Sequence, residues 1–187
     1  MRWKARWCKR MWSDLTFRRL TKTTDPAFAR AMQLYEISFP LHEQRLPESQ
    51  RLIMNHPEYH FDAIFDGGTF VGDMLYWRTD LFAYVEHFCI EPNLRGRRYG
   101  QRALEALCAQ CGLVILEIDP PVDEISIRRK GFYERCGFKE NPYAHVHPAY
   151  REGFSGHELK IMSWPRAITP AEYDRFNAYL ISRVMGQ

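Results

Sequence analysis

Between Phe82 and Leu116 the sequence passes through a segment that leaves few folds open. An aromatic and β-branched run ends at Ile90, Glu91-Pro92-Asn93 makes a turn, and a helical stretch follows with Leu104, Leu107 and Cys111 on one face. Gly112 stops that helix, and four apolar residues stand in a row from Leu113 to Leu116. An unbroken apolar run marks a strand buried on both faces. Two strands joined through a helix, with no hairpin between them, must lie parallel with a right-handed crossover. The rest of the chain has to be arranged around that unit.

On its N-terminal side the pattern is antiparallel. Tyr59, Phe61, Ala63 and Phe65 recur at period two, and Gly67-Gly68 supplies the positive-φ positions of a tight hairpin. Phe70 to Trp77 and Phe82 to Ile90 complete a three-strand meander. Ahead of it, Leu15 and Phe17 form a short strand. Asp25-Pro26 opens a helix with Phe28, Met32 and Tyr35 on one stripe as far as Phe39-Pro40, and a second helix starts at Pro47. Past Leu116 the sequence predicts a helix over Glu124 to Cys136 with Gly137 as its left-handed cap. Strands near Phe138 to Tyr143 and His157 to Ser163 follow, with a loop between them. An amphipathic helix over 169–185 begins at the capping box of Thr169 and Glu172. The expectation is an α/β chain of the α+β kind, with a mixed, mostly antiparallel sheet of six to seven strands flanked by helices.

With 187 residues, 45% of them hydrophobic, and neither repeat nor linker, one domain is expected over residues 14–187. A basic arm, residues 1–13, precedes it, with Arg2, Lys4, Arg6, Lys9 and Arg10 interleaved with Trp3, Trp7 and Trp12. A net charge of +3 does not call for a nucleic-acid or acidic-polymer partner. No stretch approaches the roughly 18 apolar residues of a membrane span, and the arm lacks the apolar core of a secretory signal. The odd set Cys8, Cys89, Cys108, Cys111 and Cys136 suits a reducing compartment, so a cytoplasmic protein without a membrane partner is expected. Cys108 and Cys111 lie inside a helical pattern with no second pair at zinc spacing, and no metal is expected.

The chemistry concentrates in Asn93 to Gln101, which joins a strand to a helix and holds Arg95, Arg97 and Arg98 among small residues. Unpaired N–H groups at a helix start, close backbone approach at glycine and adjacent guanidinium charges together make an anion site suited to a pyrophosphate.

This segment resembles the acetyl-CoA pyrophosphate loop of the GNAT superfamily, Q/R-x-x-G-x-G/A, with Arg95 first and Gly100 last. Arg98 stands where the family usually has its middle glycine, so either the loop path changes or the side chain turns outward and adds a phosphate contact. Lys130 to Phe138 is similar to the same family's late motif, with Tyr133 four residues before Gly137-Phe138. The resemblance implies splayed fourth and fifth strands and acetyl-CoA as cosubstrate. It assigns the cofactor to Ile90, Arg95, Gly96, Arg97, Arg98, Tyr99, Gly100 and Gln101. It also implies an oxyanion donor in the backbone near Ile90, and Tyr133 as the acid that protonates the departing thiolate.

Attack by an amine of pKa near 10 needs a base. Glu86, on the strand leading to the loop, is the first candidate and Glu117 on the neighbouring strand the second. Side chains of strand neighbours alternate, so Glu86 and His87 are expected on opposite faces. His145, His147 and Tyr150 are candidates for the acceptor wall, and Glu43, Glu48 and Glu86 for recognition of a cationic acceptor. The function expected is acetyl transfer from acetyl-CoA to a primary amine of a small molecule, by direct attack in a ternary complex. The alternatives are a non-catalytic acyl-CoA-binding protein and a nucleic-acid or anionic-surface module working through the arm. Exposed edge strands and the terminal helix are compatible with a homodimer.

Overall fold

The computed structural model describes residues 15–186, and the basic arm expected over residues 1–13 lies outside the described residues. The chain begins with β1 (Leu15–Arg19), α1 (Phe28–Ser38), a 3-10 turn over Leu41–Glu43 and α2 (Pro47–Ile53). The meander follows as β2 (Tyr59–Asp66), β3 (Thr69–Arg78) and β4 (Ala83–Ile90), and α3 (Tyr99–Cys108) leads to β5 (Val114–Ile118). Then come α4 (Glu124–Arg135), β6 (Lys139–Glu140), β7 (His145–His147), β8 (His157–Trp164) and α5 (Pro170–Tyr179). The last helical turn, Leu180–Val184, opens to π geometry.

The sheet runs β1-β2-β3-β4-β5-β8-β6, with β7 also paired to β8. Every pairing is antiparallel except that of β4 with β5, the crossover that the apolar run after α3 requires. Eight strands form where six to seven were expected. The strand expected over 138–143 shrinks to two residues, and the segment after Tyr143, read as loop, contains β7. The reason is the length of β8: β5 covers it only from Lys160 onward, and β7 satisfies the backbone groups of its first residues, from His147↔His157 to His145↔Leu159.

Two irregularities position the site. β4 and β5 pair only from Ala83↔Val114 to Val85↔Leu116 and then part. Between β3 and β4 the register jumps, since Tyr76 faces Val85 while Leu75 faces His87, which leaves Glu86 as the extra residue of a bulge. A bulge cancels one step of alternation. Glu86 and His87, expected on opposite faces, therefore point the same way: Tyr150 donates its hydroxyl to Glu86 Oε1 at 2.8 Å, and its ring lies 5.8 Å from that of His87.

Helices bury both faces of the sheet. Tyr35 of α1, Ile53 of α2 and Phe176 of α5 pack on Tyr59, Trp77 and Tyr84. On the other face Leu104 and Leu107 of α3 and Tyr133 of α4 pack on Met74, Val85 and Leu116. The capping box of Thr169 and Glu172 forms at α5, and a second one, Asp123 with Ser126, starts α4. Asp25 acts slightly ahead of its expected place, accepting from the Ala27 N–H at 2.8 Å before α1 begins at Phe28. Among the described residues no helix is long and apolar enough to cross a membrane.

An ion pair is enclosed in the first face. Arg45 donates from Nε to Glu86 Oε1 at 2.8 Å and from Nη2 to the Val184 carbonyl at 2.6 Å, and the two side chains are 2% and 0% exposed. Trp77 Nε1 donates to the other Glu86 oxygen at 2.8 Å. Removing one partner of such a pair strands the other charge away from water. Glu86→Ala and Arg45→Met should each lower unfolding free energy by about 3–5 kcal/mol in urea titrations, and the double variant should lose less than the sum.

Candidate active site

Where β4 and β5 part, a cavity of about 980 Å³ opens, at the upper end of the range of small-molecule sites. The loop before α3 and the inner side of α4 form one wall, and the 3-10 turn at Glu43, β5 and the segment from His147 to His157 form the other.

The loop wall is built for an anion. The N–H groups of Gly96 to Gln101 have no acceptor among the described hydrogen bonds, and the first intrahelical bond runs from Arg102 N to Arg98 O. Gly96 has φ +77°, and Arg98, at φ +66°, is the one non-glycine residue at positive φ among the described residues. The backbone at 98 thus takes the conformation a glycine favours, with the arginine side chain exposed at the cavity rim, at a conformational cost of about 1–2 kcal/mol. Gly100 leaves room for a different reason: a Cβ there would crowd the Phe132 ring of α4 at 3.1 Å.

The other predicted loop residues divide by role. Arg95 folds back and donates from Nε to the Ile90 carbonyl at 3.1 Å. The Tyr99 hydroxyl is tied to Asp66 at 2.8 Å and the Gln101 amide to Glu105 at 2.8 Å, and both residues line the cavity. Glu91 N donates to Val71 O at 3.0 Å, which makes the neighbouring Gly72–Ile90 pair a non-hydrogen-bonded one. Both polar groups of Ile90 therefore point away from β3, toward the gap beside β5.

Tyr133 lines the same cavity, and no described hydrogen bond engages its hydroxyl. Gly137, at φ +89°, closes α4 by letting the Phe138 N–H reach the Tyr133 carbonyl at 3.0 Å, which fixes the residue from behind. Burial pushes its phenol up to about 12, against a smaller opposing effect of Arg129, so the hydroxyl holds its proton at neutral pH.

The two predicted carboxylates occur one on each strand, directly after the last paired residues. Burial alone would raise Glu86, but Arg45, His87, Tyr150 and Trp77 together hold it below its ordinary value, and every oxygen it has is engaged. Glu117 is likewise brought low against its burial, by the hydrogen bond from His145, by His147 and by the Tyr84 hydroxyl. His87 is a packing residue: burial lowers it to about 4, and Nε2 bonds the Glu43 carbonyl at 2.8 Å. Glu48 lies on α2 and is not among the residues lining the cavity.

His147, named from the sequence only as a candidate for the acceptor wall, completes the second wall. His145 and His147 project from one face of β7 toward Glu117; their period-two spacing was the signal for a strand. His145 Nε2 bonds Glu117 Oε1, and its Nδ1 lies 3.1 Å from the Tyr173 hydroxyl. His147 Nδ1 lies 2.6 Å from the Pro148 carbonyl, which assigns the proton to Nδ1. Its Nε2 is buried without a hydrogen-bond partner, 3.9 Å from Glu117 Oε2.

The chain's sequence matches a family model described as acetyltransferase (GNAT) family over residues 18–138. Among solved structures it is similar to a putative acetyltransferase from the GNAT family of Bacteroides thetaiotaomicron, with TM-score 0.83 and 33% identity over 92% of this chain and 99% of that one. More distant likenesses, of fold alone, include a spermidine N-acetyltransferase SpeG chimera from Vibrio cholerae and hSSAT, with TM-score 0.56 and 16% identity over 87% of this chain and 99% of that one. An aminoglycoside 6'-N-acetyltransferase complexed with coenzyme A gives TM-score 0.54 and 16% identity over 79% and 95%. Comparison with curated proteins gave no match.

The strain at residue 98 is open to measurement. Arg98→Gly should leave the melting temperature unchanged or raise it, because relief of the left-handed conformation is offset only in part by the freer unfolded chain. Arg98→Val should lower it.

Proposed function

The chain belongs to the acetyltransferase (GNAT) family and is an acyltransferase; from that premise we propose that it transfers an acetyl group from acetyl-CoA to the primary amine of a small cationic molecule, by direct attack with both substrates bound. One juxtaposition carries this reading. The unbonded N–H groups of Gly96 and of Arg98 to Gln101, the free hydroxyl of Tyr133 and the His147–Glu117 pair belong to residues that border one cavity. One acyltransferase domain over residues 14–187 and a cytoplasmic location belong to the same proposal. The free thiols of Cys89, Cys108, Cys111 and Cys136 support the latter.

Acetyl-CoA supplies the acetyl group as an activated thioester. The residues fit its pyrophosphate, since successive N–H donors and the Arg98 guanidinium at the cavity rim, with exposed Arg97 beside it, would meet an anion at the start of α3. The Ile90 N–H, facing the gap, is the donor for a developing oxyanion. On the opposite wall, Glu43 and Asp119 favour an acceptor that arrives as a cation. Two structural neighbours are named for spermidine and aminoglycoside acetylation, both cationic amines.

Such an amine must lose a proton before it attacks. His147 is the better base: its Nε2 lone pair is free, and Glu117, ionised 3.9 Å away, stabilises the imidazolium that forms. Glu86 is then a positioning residue, because its oxygens are occupied by Arg45, Trp77 and Tyr150. Tyr133 delivers the proton to the departing thiolate, whose own basicity rises in the same dry cleft.

Calorimetric titration with acetyl-CoA is the direct test. Binding should weaken about tenfold or more when Arg97 and Arg98 are both changed to Ala, and a folded wild type that does not bind would end the proposal. His147→Ala and Tyr133→Phe should each lower kcat by about a hundredfold while acetyl-CoA affinity holds. Turnover that survives His147→Ala but not Glu117→Gln would transfer the base to Glu117.

A further inference from the structure

Two segments far apart in the chain converge at the mouth of the acceptor wall. His42 and Glu43 occupy the 3-10 turn between α1 and α2, and His157 opens β8. One ligand atom from each lies within 4.8 Å of the other two, and His42 Nε2 stands 3.6 Å from Glu43 Oε1. In a tetrahedral zinc site, with bonds near 2.1 Å, neighbouring ligand atoms are roughly 3.4 Å apart. The His42 side chain is 43% exposed and has room to turn toward such a spacing.

The surroundings hold these groups in place. His87 pins the Glu43 backbone through its carbonyl, and the Phe154 ring stacks on His42 at 6.0 Å. Asp119, just past β5, adds a second carboxylate: Oδ1 lies 3.3 Å from His157 Nε2, while Oδ2 is engaged by Arg129. Two imidazoles and a carboxylate suit zinc and its neighbours, whereas magnesium and calcium prefer oxygen alone. Sequence spacing could not disclose the set, because its two histidines lie far apart in the chain.

We infer that His42, Glu43 and His157 form a site for a zinc-class divalent cation, with Asp119 beside them as a second negative charge. Three protein ligands leave a fourth position open to the cavity. A bound dication takes the place where a cationic acceptor would approach Glu43 and Asp119, so the metal excludes the acceptor and leaves the cofactor loop untouched. That consequence rests on the proposed function; metal binding itself does not.

The test is calorimetry with zinc chloride on the full chain, on His42→Ala, on His42→Ala/His157→Ala and on Cys108→Ser/Cys111→Ser, with circular dichroism to report folding. One site should appear in the wild type, weaken about tenfold or more in both histidine variants, and persist in the cysteine variant. Cobalt bound in its place should show no thiolate charge-transfer band. No zinc binding by the wild type, binding unchanged in folded His42→Ala, or binding that follows the cysteines overturns the site. In steady-state assays zinc should compete with the amine and not with acetyl-CoA. A confirmed calorimetric site without that competition would overturn the exclusion of the acceptor and spare both the site and the acetyl-transfer reading.

Discussion

The separation of β4 from β5 after three paired positions is the constraint on which the rest depends. A buried strand edge cannot simply be left open, because its N–H and C=O groups then lack partners. Here the edge is managed by chemistry. Immediately past the fork each strand carries a glutamate, Glu86 on one and Glu117 on the other. Two buried carboxylates facing a common gap would repel, and each is instead drawn to its own wall. Arg45, Trp77 and Tyr150 take Glu86, while His145 and Tyr84 take Glu117. The gap stays open between two satisfied networks, and the Ile90 backbone is left pointing into it.

Charge is divided across the cavity in the same sense. The loop before α3 offers amide dipoles and guanidiniums, and the opposite wall offers Glu43, Asp119 and imidazoles. On the proposed reading a polyanionic cofactor and a cationic acceptor would be kept to separate sides, neither attracted into the place of the other.

The backbone features of the loop wall were legible in the sequence because they are local. Arg95 to Gln101 and Tyr133 to Phe138 each act within one turn and one helix end, where glycine and cap chemistry constrain the backbone directly. Even there the alternatives at Arg98 needed a φ angle to separate. On the opposite wall single residues could be named but their contacts could not, because these join distant segments: Arg45 with Glu86, Glu117 with His145, Glu43 with His157. The bulge at Glu86 was hidden for another reason. Alternation is a rule about uninterrupted pairing, and one extra residue reverses every assignment beyond it without changing composition. β7 escaped because three residues are too few for a periodic pattern, although His145 and His147 with exposed Val146 between them do alternate.

The hydrogen bond from Arg45 to the Val184 carbonyl joins the end of the chain to the centre of the molecule. The guanidinium that neutralises Glu86 also donates from Nη2 to a π-turn that follows α5, so β4 and that turn are held by a single side chain. The terminus works as a guy-line: a cut before Val184, or a fused tag pulling on that turn, would slacken a tether whose other end is the bulge in β4. Loss of activity from such a change would look like damage to the active site, although no residue that touches substrate had been altered.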